Sequence, residues 1–243
     1  MFLSPLESFE LLLYAPLSFF FDLSLTNSTL FLLLSFVGIA VLVAIPSFRP
    51  TVIPSSYQLV AEQLFRFVLG MVKEQTHGAA LPFFPLFLLV FLFILLSNLI
   101  GLLPFSFTTT AQFAITFALA LSFNFGFILL GFYNHHLRFL KLFVPSDAPA
   151  VLVPLIVVIE VVSYLIRTFS LSIRLFANMM AGHTLLHILA TFSIKMVKSG
   201  GPLPLLLSLL PFFLVLAVFL LEFGIALIQA YVFVILLSIY AND

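Results

Sequence analysis

Long apolar runs separated by short polar breaks dominate this chain. A helix of roughly 20 apolar residues spans the hydrocarbon core of a bilayer. The first such run is Leu30 to Ile45, closed by Pro46 and Arg49, and Phe19 to Phe21 could extend it; the first span is therefore placed at 30–47. Spans follow at Leu81 to Leu103, ended by Pro104, and at Ala111 to Tyr133, joined by the uncharged loop "FSFTTT". Two much longer stretches close the chain, 150–198 and 202–240, separated by the turn signal Ser199-Gly200-Gly201-Pro202.

The segment 54–76 has a different rhythm. Val60, Leu64, Phe67, Val68 and Met71 fall on one helical face, while Glu62, Arg66 and Lys73 fall on another. Ser55 or Ser56 can cap its start. This pattern predicts an amphipathic helix lying in the membrane interface, with a solvated connecting helix as the plainer reading. The fold class is thus all-α and polytopic. One membrane domain, 1–243, has about five crossing helices and one interfacial helix.

The last two stretches are too long to stand upright. Some 40 residues of helix run to about 60 Å, against a hydrocarbon core of about 30 Å. They must tilt steeply, bend or break; Gly182 could loosen the first and Pro211 could bend the second. A tilted hairpin of this kind exposes a long side face inside the membrane to a partner that is itself in lipid.

Composition agrees with this layout. The 243 residues are 63% hydrophobic and only 7% charged, with 33 Phe. Soluble domains carry about 25% charged residues, so the surrounding solvent here is lipid. Net charge is zero and no basic tract exists, which speaks against nucleic acid as a partner. There is no cysteine, so disulfides, iron–sulfur clusters and thiolate chemistry are out. No Lys or Arg precedes Arg49, while Glu7, Glu10 and Asp22 do, unlike a secretory or transit segment. Asn27-Ser28-Thr29 fits the glycosylation sequon, a weak signal without a secretory signal. Arg49, Arg66 and Lys73 in one loop, and His135, His136, Arg138 and Lys141 in another, orient those loops inward, with the N-terminus outside and the C-terminus inside. Lys195 and Lys198 go against that assignment.

The few polar residues of the long stretches are not scattered. On a helical wheel, Ser163, Arg167, Ser170, Arg174 and Asn178 lie within about 80° of Glu160, and Glu160, Arg167 and Arg174 recur every seven residues. On the last helix Glu222 and Gln229 are also seven apart. A charge at mid-membrane costs at least about 2.5–3.5 kcal/mol, so a line of them argues for function. A structural ion pair between Glu160 and Arg167 is the alternative. Glu and His exchange protons, whereas Arg stays charged and acts as a fixed cation. It favours proton release from a carboxylate brought against it and blocks direct hopping. A proton path interrupted by Arg174 is therefore two half-paths.

"SLSIRLFANMMAGH" (Ser170 to His183), "LEFGIALIQAYVF" and "LLSNLIGLLPFSFT" (Leu95 to Thr108) resemble the subunit a family of the F-type ATP synthases. The resemblance covers about Pro54 to Tyr240, and the first 50 residues carry no motif. It implies two tilted helices set against a rotating ring of carboxylate-bearing membrane subunits, with other stator and peripheral-stalk subunits and lipid as further partners. The family's essential arginine falls on Arg174 and its asparagine on Asn178. Its polar pair falls on His183 and Glu222, and its glutamine on Gln229. The resemblance also implies that Glu160 belongs to the inner half-channel, and Ser170, Arg167 and Asn98 are candidates for support. The His183/Glu222 arrangement resembles the mitochondrial and alphaproteobacterial type, which implies the mitochondrial inner membrane or a bacterial plasma membrane. The resemblance further implies that the chain itself makes no ATP.

His183 lies about 140° from Glu160 on the wheel, off the polar line. Either Gly182 unwinds the helix or His183 faces the last helix. His187 is one turn further on, which is metal-ligand spacing, although Zn²⁺ takes four ligands and two His make a weak site; no other cofactor is implied. Competing readings are a proton- or ion-coupled secondary transporter, a haem-bearing respiratory subunit and a structural assembly subunit. No internal repeat favours the first. His residues on a single helix disfavour the second. The third requires Arg174 and Glu222 to tolerate neutral replacement.

Overall fold

The computed structural model describes residues 9, 12–15, 25–48, 54–76, 78, 81–103, 106–136, 153–198 and 202–242. Among the described residues six α-helices carry the fold: α1 (Asn27–Phe48), α2 (Ser56–Thr76), α3 (Phe84–Gly101), α4 (Phe113–His135), α5 (Val153–Lys198) and α6 (Pro202–Asn242). Five of the helical segments are long and apolar enough to cross a membrane. Helices suit that solvent because each closes its own backbone hydrogen bonds where no water can. Before α1 comes a short antiparallel pairing of β1 (Leu13–Ala15) with β2 (Leu25–Thr26). Arg49, the Arg138/Lys141 stretch, the Ser199–Gly201 turn and the Phe19–Phe21 extension lie outside the described residues.

The sequon residues serve the start of α1. Thr29 Oγ1 accepts from the Thr26 backbone N–H at 3.0 Å and donates to the Thr26 carbonyl at 2.8 Å. Helix α2 begins as its cap predicts: the Gln58 backbone N–H donates to Ser55 Oγ at 3.4 Å, so Ser55 rather than Ser56 is the cap. Its packed face is narrower than its apolar arc. Val68, Met71 and Val72 are buried, but Val60 and Phe67 are exposed. Phe67 is half exposed although its ring meets Phe91 of α3 at 5.9 Å and Tyr231 of α6 at 6.1 Å.

Helix α3 is the centre of the bundle. Its apolar window is 56% buried, against 17 to 22% for the other four. It reads as a near-continuous apolar run because α1, α2 and α6 all pack on it. Phe87 and Ile94 are fully buried in a core shared with Val68, Leu175, Phe233, Val234 and Leu237. Gly38 of α1 faces α3: a Cβ there would make an ordinary contact with the Leu96 side chain at 3.4 Å. Helix α4 is tied to α5 by an aromatic cluster in which Phe117 meets Phe169 at 5.1 Å and Phe113 meets Phe176 at 5.8 Å.

Helices α5 and α6 form the most extensive pairing in the molecule. With 46 and 41 residues they run to about 69 and 62 Å. Neither is broken. Helix α5 continues through Gly182, so the expected loosening there does not occur, and α6 continues through Pro211.

Candidate functional site

The site is built on the α5–α6 pair. Along α5 the buried residues are Thr168, Leu171, Ser172, Leu175 and Met179, an arc centred about 75° round from Glu160. The polar line expected from the sequence therefore runs along the edge of the packed face. Glu160, Ser170 and Arg174 are exposed, while Ser163, Arg167 and Asn178 are half-buried at the margin. Arg174 sits near the midpoint of α5. The fold leaves this cation on an uncovered flank.

Helix α6 does the opposite with its polar pair. Glu222 and Gln229 fall inside its buried arc, at 5% and 7% exposure, beside Ala226, Ala230 and Phe233. Glu222 lies near the midpoint of α6. Its carboxylate rests on the bare backbone of Gly182: a Cβ built there would stand 2.7 Å from Glu222 Cδ. This contact brings Glu222 to the residue preceding His183. The wheel position of His183 is thus resolved without unwinding: α5 stays helical and His183 turns off the polar line.

Neither carboxylate oxygen of Glu222 nor Nε2 of His183 has a hydrogen-bond partner among the described residues, although all three atoms are buried. Buried polar atoms are nearly always paired, and leaving one unpaired costs about 1–3 kcal/mol. The ring of Phe9, from the segment before β1, lies edge-on to the His183 ring with centroids 6.4 Å apart.

Sequence reading missed three supports. Asn124, on α4, donates from Nδ2 to Thr168 Oγ1 at 2.6 Å, tying α4 to α5 one residue after Arg167. As an amide near the middle of a largely apolar span, it was the available signal. The described part of "FSFTTT" is not an exposed loop. Thr108, Thr109 and Thr110 are buried, and a 3₁₀ turn at Thr109–Ala111 wedges against α3 and α5. Asn98, fully buried on α3, receives the Thr110 hydroxyl. Gly182 is the third: nothing local marks it as the seat for Glu222.

The metal expectation gains no support. His183 and His187 are one turn apart on α5, but among the described residues no group of three or more His, Cys, Asp or Glu could hold an ion. Two His fall short of the four ligands zinc takes.

The family model for the ATP synthase A chain matches residues 28–242. The chain belongs to that family. The ATP synthase subunit a of Acanthamoeba castellanii is 47% identical over 245 residues, covering 100% of this chain and 98% of the relative. That of Marchantia polymorpha is 44% identical, covering 99% and 97%. A bacterial relative from Pelagibacter ubique is 44% identical, covering 91% and 88%. The family match takes in α1 as well, which the sequence motifs did not, and includes all six helices almost to their ends.

Proposed function

We propose that this chain is the membrane stator subunit of a rotary, proton-translocating ATP synthase, supplying two offset proton half-channels separated by Arg174. The observation that carries this reading is the division of labour between the long helices. The fixed cation is on an open flank of α5, and the proton-exchanging Glu222 is buried without partners on α6.

Protons from the outer side enter near His183 and Glu222, with Asn178 and Gln229 orienting water. They neutralise a carboxylate on a ring of partner subunits. Only the neutral form faces lipid cheaply. After rotation the carboxyl releases its proton towards Glu160 on the inner side and meets Arg174 as an anion. Each charge that crosses contributes about 2.3 kcal/mol per 100 mV. Ser170 and Arg167 continue the line on which Arg174 stands. The chain performs no phosphate chemistry; the complex it joins does. Its membrane is the mitochondrial inner membrane, or a bacterial plasma membrane, on the strength of the His183/Glu222 arrangement.

The test is proton-driven ATP synthesis in membranes carrying Arg174→Ala, with assembly checked on native gels. The expected result is an assembled complex without synthesis. Synthesis near the wild-type rate would make the arginine structural and overturn the ion path.

A further inference from the structure

Three elements meet at one buried amide. Asn98 Oδ1 accepts the Thr110 hydroxyl at 2.8 Å, and Asn98 Nδ2 points to the carbonyl oxygen of Ala226 at 3.5 Å. The first bond joins α3 to the 3₁₀ turn and the second reaches α6. Asn98, Thr110 and Ala226 are all buried to 2% exposure or less. The turn is seated close by its own packing: a Cβ at Gly101 would run into the Thr108 side chain. Next to Thr110, Ala111 packs in a small cluster with Leu102, Met179 of α5 and Ala226 of α6. The wedge thus packs on α5 and shares a cluster with Ala226 of α6.

The position of Ala226 gives this junction its meaning. It follows Glu222 by one helical turn and precedes Gln229 by three residues. Small residues at Ala226 and Ala230 let α3 approach the α6 backbone. A helix packed only by apolar side chains in lipid can slide or roll at little cost, since lipid offers the same contacts. A directional bond to one carbonyl restricts both movements. Glu222 itself has no bond that would hold it.

We propose that Asn98 and Thr110 are positioning residues that fix the height and rotation of α6, so that the carboxylate of Glu222 stays over Gly182 beside His183. The proposal rests on the proton-path reading above. It assigns Thr110 a role and gives Asn98 a mechanical one: neither exchanges a proton.

The experiment uses the intact complex in native membranes. Proton conduction through the membrane sector is read after removal of the catalytic head and normalised to assembled complex. Thr110→Val keeps the shape and deletes the hydroxyl, and Thr110→Ser keeps the hydroxyl. The expected result is at least a five-fold loss per complex for Thr110→Val, near wild-type conduction for Thr110→Ser, and a less-than-additive combined loss when Asn98→Leu, which also removes the bond to Ala226, is added to Thr110→Val. Non-additivity of this kind marks residues acting as one unit. If Thr110→Val does not assemble, Thr110→Ala is compared with Thr110→Ser, and equal conduction by the two overturns the proposal. Wild-type conduction by Thr110→Val, or additive losses in the double variant, overturns it as well. Glu222→Gln is run alongside. Wild-type conduction by that variant sinks the proton-path reading itself, a separate outcome.

Discussion

Glu222 on α6 lies directly against Gly182 on α5, with no room for a Cβ between them. The contact joins two residues 40 positions apart at the middle of the membrane pair. It depends on the absence of a side chain.

Gly182→Ala therefore forces the Glu222 side chain to move, because the added carbon meets Cδ at 2.7 Å and Cγ at 2.9 Å. Overpacking of this size costs about 1–3 kcal/mol. Proton-driven ATP synthesis per assembled complex is expected to fall at least ten-fold. Glu222→Asp in the same chain withdraws the carboxyl and should restore part of the rate. Unchanged synthesis in Gly182→Ala would mean that the carboxylate does not work from this position.

Glu222→Gln tests the chemistry with little change in shape. The amide cannot take up and release a proton near neutral pH, while its volume is close to that of the acid. Synthesis is expected below a tenth of wild type with the complex still visible on native gels. Loss of the complex in place of loss of rate would assign Glu222 to packing.

Asn124 and Thr168 are expected to matter for stability more than for turnover. Their bond at 2.6 Å joins α4 to α5 in a buried place. Interhelical bonds of this type contribute about 0.6 kcal/mol on average, and up to about 1.7. Asn124→Leu should lower the thermal stability of the detergent-solubilised complex by a few degrees and keep more than half of the activity per complex. A ten-fold loss of activity at unchanged stability would contradict that division.

The ion pair on α2 should do little. Glu62 and Arg66 meet at 3.5 Å, with Arg66 mostly exposed. Exposed pairs contribute about 0–1 kcal/mol. Arg66→Gln is expected to leave stability within about 0.5 kcal/mol of wild type by chemical denaturation, and a larger loss would show that Arg66 has a further partner.

The five apolar spans and the amphipathic α2 were legible because each is written locally, in run length or in a 3.6-residue period. The polar line of α5 was legible for the same reason: residues seven apart share a face whatever packs nearby. Its openness was not legible, since a wheel gives direction and not the neighbour that covers or spares it. Val60 and Phe67 belong to the apolar arc of α2 by period and yet stay about half exposed, which is the same limit seen from the other side. The buried threonines after Pro104 were read as a loop because uncharged polar residues between two spans look like one. Their burial depends on Asn98, and Asn98 in turn reaches Ala226, 128 residues away. No local pattern encodes such a meeting.

The uncovered flank of α5 has a consequence for the life of the chain before assembly. A copy alone in a bilayer shows Arg174 outward, and a charge facing hydrocarbon at the centre of the membrane carries a penalty of at least about 2.5–3.5 kcal/mol. The same surface that would receive a partner is thus a defect in its absence. An orphaned copy draws water and headgroups into the bilayer around it, and so differs visibly from an assembled one.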